Sequence, residues 1–162
     1  MAIEYSLKLD GIKGENLAAK HKEEIELHSW SWGASNPTSI SGSGLSAGKV
    51  SISDITISKP VDSSSAKLLE LCCSGKHIAT ATLSCSKSTG DKNPGDYLTI
   101  KLSEVHIAGF QTGGSSGDSI GSESVSLAFL KFEYDYKVQG KDGNLTAAGT
   151  AKYDAGAREA SS

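Results

Sequence analysis

Apolar and polar residues alternate over most of this chain, and in four places the alternation changes phase. Ile3, Tyr5, Leu7 and Leu9 mark one face of a first segment without interruption. Successive side chains of a strand point to opposite faces, so this period of two predicts a half-buried β-strand. In EEIELHSWSWG, residues 23–33, Ile25 and Leu27 take odd positions, whereas Trp30 and Trp32 take even ones. The slip recurs at Ser53 and Asp54, between Leu102 and Val105, and at Phe129 and Leu130. Burial on both faces would need an apolar residue at nearly every position, and Ser29, Ser31, Ser53, Lys131 and Glu133 argue against it. A β-bulge adds one residue, returns later side chains to the same face and bends the strand. Repeated bulges curl a sheet into a barrel. The pattern therefore predicts a mainly β chain, a bulged antiparallel β-barrel in which Ile25, Leu27, Trp30 and Trp32 share one core.

One segment departs from that period. DSSSAKLLELCCSGK, residues 62–76, reads as a flanking α-helix: Pro60 precedes it, Asp62 or Ser63 caps its free N–H groups, and Gly75 suits a left-handed C-cap. Leu68, Leu69, Cys72 and Cys73 form its expected apolar face. Residues 33–48, GASNPTSISGSGLSAG, are almost all small and read as a long loop, a kind of segment that is usually functional or interface-forming. After Val138, KDGN makes a turn, LTAAGTAKYD adds a short strand and AGAREASS is a frayed tail. A barrel domain over residues 1–139 is thus followed by a closing segment, 140–162, of the same domain.

Composition narrows the setting. The 162 residues suffice for one core. With 16 basic against 19 acidic residues and no basic cluster, the chain is poorly suited to a nucleic-acid backbone or an anionic membrane. No apolar run approaches the roughly 20 residues of a membrane span, and the N-terminus lacks the basic start and apolar run of a secretory signal. Three cysteines, two of them adjacent, make no disulfide framework and fit folding in the cytosol.

Chemical motifs fail on context. GSGLSAGK, residues 42–49, departs from a phosphate-binding loop at Ser43 and Val50 and leads into a strand rather than a helix. GGSSG, residues 113–117, has the spacing of a hydrolase nucleophile elbow, but every histidine precedes Ser115 and the segment joins two strands. The cysteines and histidines lack zinc spacing, and Glu133 with Asp135 reads as a solvated face. The sequence thus predicts no enzyme, no cofactor and no metal, but a structural or binding protein.

In order along residues 1–139, GIKGE, HKEEIELHSWSWG, the Gly/Ser segment, AGKVSISDITISKPVD, CCSGKH and TGGSSGDS resemble Hcp, the haemolysin-coregulated family of bacterial type VI secretion. The resemblance implies a barrel whose homo-hexameric rings stack into a tube, exported from the cytoplasm without a signal peptide, with type VI effectors, spike and sheath components as partners. It also implies that rings bind and chaperone effectors in the central hole. Ser31, between the two tryptophans, and Ser115 are then lumen-facing, effector-binding positions. The segment holding Asn36, Ser41, Ser43 and Leu45 becomes the ring and stacking interface. The alternative is a tube protein of another phage-tail-like contractile particle.

Overall fold

The computed structural model describes residues 3–87, 95–156 and 159–161. Its strands are β1 (Ile3–Leu9), β2 (Ile25–Leu27), β3 (Ser29–Ser31), β4 (Ala34–Ser35), β5 (Thr38–Ser41), β6 (Gly44–Ala47), β7 (Ser51–Ile52) and β8 (Ile55–Pro60). After helix α1 (Ser65–Ser74) come β9 (Ile78–Lys87), β10 (Gly95–Gly113), β11 (Ser122–Ala128), β12 (Lys131–Gln139), β13 (Leu145–Asp154) and β14 (Glu159–Ser161).

Every phase slip in the sequence is a place where the chain changes strand partners. β2 pairs with β1, and one residue later β3 pairs with β8. β7 pairs with β4, while β8 pairs with β3 and β11. The single strand β10 pairs with β12 over Leu98–Ser103 and with β11 from His106 onward. Its turning point is Glu104, a non-glycine residue at φ 55. Opposite that point β11 gives way to β12 at Phe129 and Leu130, where the Leu130 N–H donates to Ser103 O at 3.1 Å. The bulges expected at His28/Ser29 and Ser53/Asp54 are therefore corrected to corners between separate short strands. The expected consequence holds nonetheless: Ile25 and Leu27 are buried in the core cluster, and Trp30 and Trp32, half-buried, pack against the same cluster. Register shifts within a ladder do occur, at Asp96/Leu98, Ile107/Gly109 and Tyr136/Lys137.

The result is a large antiparallel sheet that wraps one core. Hydrogen-bonded neighbours run β3–β8–β11–β10 on one side and β10–β9–β1–β2 on the other, with β12, β13 and β14 extending from β10. This path is not a closed ring of ladders. The chain completes the circuit where β2 enters β3 through His28, whose N–H donates to Ser58 O at 2.7 Å. Leu7, Ile25, Ile55, Leu68, Leu83, Ile100, Val105, Val125 and Leu127 are all 0 % exposed in the core between these walls. Trp32 locks one corner: its indole N–H donates to Ser53 O at 2.9 Å, and its ring meets Phe129 and Phe132 edge-on at 5.8 and 4.8 Å.

Helix α1 lies where the sequence placed it, but with another cap and another face. Its N-cap is Ser64, and Asp62 accepts the Ser64 N–H at 2.9 Å from outside the helix. Leu68 and Leu71 are the buried pair, an i, i+3 spacing, while Leu69 and Cys73 are exposed. Gly75 is the left-handed C-cap, at φ 69. The closing segment is more ordered than expected: β13 is ten residues long and pairs with β12, and β14 pairs with β13 over Lys152–Asp154. Of the tail read as frayed, residues 157, 158 and 162 lie outside the described residues.

Candidate functional site

The corner at His28 and the alternation of β8 and β11 together build one unusual surface. Directly paired residues share a face, so the rows across β3, β8, β11 and β10 can be read from the register. Trp30, Ile57, Val125 and Phe110 form one inward row. The next row outward is Ser31, Thr56, Ser126 and Gly109, followed by Ser29, Ser58, Ser124 and Gln111, and then by Pro60, Ser122 and Gly113. No residue in these three outward rows carries a charge or a large apolar side chain. The face offers hydroxyl donors and acceptors and little else.

Ser31 stands exposed on this face, as alternation required, in the first of its outward rows. Ser115 lies in the turn beyond Gly113, past the last of them. Its hydroxyl donates to Asp118 Oδ2 at 3.0 Å, and the Asp118 N–H returns to Ser115 O at 3.0 Å, so it is committed to its own turn. Two rows of roughly 7 Å each, plus the turn, separate the two serines, which are not brought into one pocket.

Residues 33–48 are not a loop. β5 and β6 form a two-stranded hairpin closed by Gly42 and Ser43, and all of 36–48 is exposed. Asn36 precedes this arm, Ser41 ends β5, Ser43 lies in the turn and Leu45 is on β6. Across the arm Leu45, 74 % exposed, pairs with Ile40, 86 % exposed, a partner that sequence reasoning missed. Its signal was present, as alternate Thr38/Ile40 and Leu45/Ala47 around a two-residue Gly-Ser turn. A hairpin this exposed does not bury enough apolar surface to be stable alone, and Ile40 with Leu45 forms an exposed apolar spot on it that is not part of the core cluster.

Two polar clusters elsewhere were not legible. Lys59, 0 % exposed, reaches Glu123 at 2.7 Å and Asp62 at 3.1 Å, which ties β8 and β11 to the start of α1. Burial by itself would raise the Glu123 carboxyl. Hydrogen bonds from Lys59 and Ser65, the Lys59 charge and Thr112 hold it below the ordinary value. His21 contacts Glu24 through Nδ1 at 2.5 Å and Asp96 through Nε2 at 2.7 Å, with the Ser86 hydroxyl 3.3 Å away. Burial would lower the His21 pKa, but the hydrogen bonds and charges of Asp96 and Glu24 raise it above 6.5. Serine, histidine and carboxylate meet here as in a hydrolase, yet Ser86 is 2 % exposed and its hydroxyl donates to Asp96, so it is a fastening rather than a nucleophile.

Five charged residues line a shallow cleft across β9, β10, β12 and β13, and four of them form ion pairs between strands. Lys152 faces Glu133 at 3.9 Å and Lys131 faces Asp154 at 3.6 Å. Among the described residues, no group of three or more His, Cys, Asp or Glu is arranged to hold a metal ion, and no helix is long and apolar enough to cross a membrane.

This architecture has close counterparts. Residues 6–136 match the family described as "Type VI secretion system effector, Hcp". The protein hcp1 of Pseudomonas aeruginosa is 38% identical over 154 residues, 94% of each chain. A solved structure of a type six secretion system protein superposes with a TM-score of 0.91 at 26% identity, covering 99% of this chain and 100% of that one. The crystal structure of Hcp1 from Salmonella typhimurium gives 0.79 at 36% identity, covering 99% of both chains. With its fold, its matched length and its relatives in agreement, the chain belongs to the Hcp family of type VI secretion proteins.

Proposed function

We propose that this chain is a structural subunit of the type VI secretion inner tube, forming homo-hexameric rings that stack, are exported, and carry effectors in the lumen. The coarser statement, a secreted, non-enzymatic Hcp tube protein, follows from the family. The observation that carries the finer reading is the arm β5–β6, which presents Ile40 and Leu45 to solvent at 86 % and 74 % exposure, outside the chain's own core cluster. An apolar pair held out on a hairpin with polar flanks is what a neighbouring subunit would cover. The outward hydroxyl rows support a lumen role for the opposite requirement, since an uncharged, wettable wall admits varied passengers and repeats weak contacts around a ring.

Native mass spectrometry of the purified protein tests the ring: the expected species is the hexamer. Ile40→Asp with Leu45→Asp should leave each chain folded, because both positions are exposed, and should shift the mass toward monomer. A wild-type monomer at high micromolar concentration overturns the ring, and a double variant that remains fully hexameric overturns the role of the arm. For cargo, Ser31→Trp or Ser115→Trp is compared with wild type in pull-downs of candidate effectors. Unchanged retention by both intact variant rings removes these two positions from the effector site.

A further inference from the structure

Along β12 the residues on the core-facing side outrun the core. Phe132, Tyr134, Tyr136 and Val138 share that side by alternation. Their exposure rises along the strand: Phe132 and Tyr134 are half-buried against the core cluster, whereas Tyr136 and Val138 are 39 % and 44 % exposed. Opposite Tyr134 and Tyr136 on β13 stand Ala151 and Gly149, too small to cover them. Tyr5 and Tyr97, half-buried against the same cluster, converge on this end of the core. Burial, and then the neighbouring Cys85, Tyr5 and Tyr134, push the Tyr97 phenol up to about 12. The core therefore ends in a mouth lined by tyrosines. We propose, on the reading that copies of this chain form rings, that the mouth is the seat for the arm β5–β6 of a neighbouring copy, with Ile40 and Leu45 packed on Tyr136 and Val138.

Position and charge together choose that occupant. Within one chain the arm leaves from the other end of β12. Its base, Lys49, Val50, Ile52 and Ser53, lines a cleft with Phe129 and Tyr153, and Tyr153 pairs with Phe132. Val138 lies about 20 Å farther along the strand. Two uncovered apolar surfaces at separate places on one chain meet between copies as a head-to-tail contact, and such a contact repeats by rotation into a closed ring. Both surfaces are also uncharged. Residues 33–48 contain no Asp, Glu, Lys or Arg, and Glu133, Asp135 and Lys137 alternate onto the other side of β12. Packing the arm on Tyr136 and Val138 thus desolvates no ion. Tyrosine suits such a seat, because its ring face takes the aliphatic pair while its hydroxyl stays available to the serines of the arm.

A disulfide between copies tests the contact. In a Cys73→Ser background, which removes the exposed native thiol, the double variant Leu45→Cys/Val138→Cys treated with diamide should give a ladder of covalent oligomers on a non-reducing gel, since each chain bridges to the next on both sides. Either single variant should run as one chain. Leu45→Cys/Leu69→Cys, whose second position is exposed on α1, should give no ladder. A wild type that is hexameric by native mass spectrometry, with a Leu45→Cys/Val138→Cys ladder no stronger than this control, overturns the seat and leaves the ring standing. A monomeric wild type overturns both. Independently, Tyr136→Asp/Val138→Asp should keep the circular dichroism of the wild type, because both positions are exposed, and should raise the concentration needed for half-assembly at least tenfold. Unchanged assembly of that variant overturns the seat as well.

Discussion

Replacing Lys59 by Met tests how much of this fold hangs on one ion pair that no surface pattern announces. The Lys59 side chain is 0% exposed, and the carboxylates it serves, Glu123 and Asp62, are 3% and 5% exposed. Methionine is nearly the same size, so the substitution removes charge and leaves little cavity. It strands Glu123, which keeps only neutral donors such as Ser65, while Asp62 keeps the Ser64 N–H. Removing one member of a buried pair costs about 3–5 kcal/mol, which for a chain of this size lowers Tm by about 6–20 °C. The companion variant Lys59→Met/Glu123→Leu takes away both buried charges of the shortest contact and should recover most of that loss, because the desolvation of a charge no longer has to be offset. The assay is urea unfolding at one fixed protein concentration, since association of copies would shift the apparent stability. A four-member cycle of wild type, Lys59→Met, Glu123→Leu and the double variant should show coupling of about 2 kcal/mol or more. The pH dependence has a definite sign. Glu123 is held below its ordinary pKa, so its contribution is present above the unfolded carboxylate value, about 4.3, and is lost as pH falls through the folded value. The gap between wild type and Lys59→Met should therefore narrow in acid. A single-variant cost below about 1 kcal/mol, or additivity in the cycle, would refute the reasoning.

His21 titrates with the opposite sense: its pKa is raised, so its contribution is full below about 6.5 and disappears as pH rises through the folded value. Urea midpoints should show wild type exceeding His21→Gln most at pH 6 and least at pH 9; a constant difference contradicts the assignment. Burial pushes the Cys85 thiol up to about 12, so at pH 8 a thiol reagent should label exposed Cys73 and spare Cys85 in the folded protein, read by intact mass and peptide mapping. Labelling of both at similar rates would contradict that burial. Trp30→Ala should destabilise by about 3 kcal/mol, the lower end for a large aromatic, because Trp30 is only half-buried. An effect under about 1 kcal/mol would mean that it does not pack on the core.

The period of two made the strands legible because a half-buried strand must alternate, and it placed the slips at His28, at Ser53 and Asp54, before Val105 and at Phe129. It recorded which face each side chain takes and nothing about which strand lies beside it, so a corner and a bulge read alike. Lys59 and Glu123 were invisible for a related reason. They occupy inward positions on β8 and β11 directly opposite each other, but a single charge in an alternating run reads as a solvated residue until its partner, 64 residues away, is known. Leu69 and Cys73 looked like core because the helix sequence is apolar on more than one side, and only the sheet beneath it selects Leu68 and Leu71. The arm was hidden by composition: serine and glycine suggest a loop, whereas Ile40 and Leu45 pair across a turn. Ser31 followed from alternation alone, while Ser115 came from family resemblance, and the structure gives its hydroxyl a partner within its own turn.

The corners also divide the outer surface into two chemistries. Across β10, β12 and β13 the residues opposite the core include matched charges, with Lys101 beside Glu133 and Glu133 beside Lys152 in successive strands, while β9 at the edge of this wall offers Thr80 and Thr82. Across β3, β8 and β11 they are hydroxyls, and there the nearby charges, Lys59 and Glu123, have been drawn inside and neutralised against each other. An uncharged outer wall on one half and a charged one on the other is costly if each face merely meets water, because the buried pair must be desolvated to achieve it. It is reasonable if the two halves meet different things. A wall meant to let unlike passengers through should carry no fixed charge that traps one class and repels another, whereas a wall meant to face its own copies benefits from charges that specify register. That division is what supports assigning the hydroxyl rows to the lumen rather than to a subunit contact, and Ser31→Lys would challenge it directly. In a hexamer it places six like charges on one ring, so retention of acidic passengers should rise and of basic ones fall, with the ring mass unchanged. If such a ring fails to assemble, or if passenger charge makes no difference to retention, the hydroxyl face belongs to an interface instead.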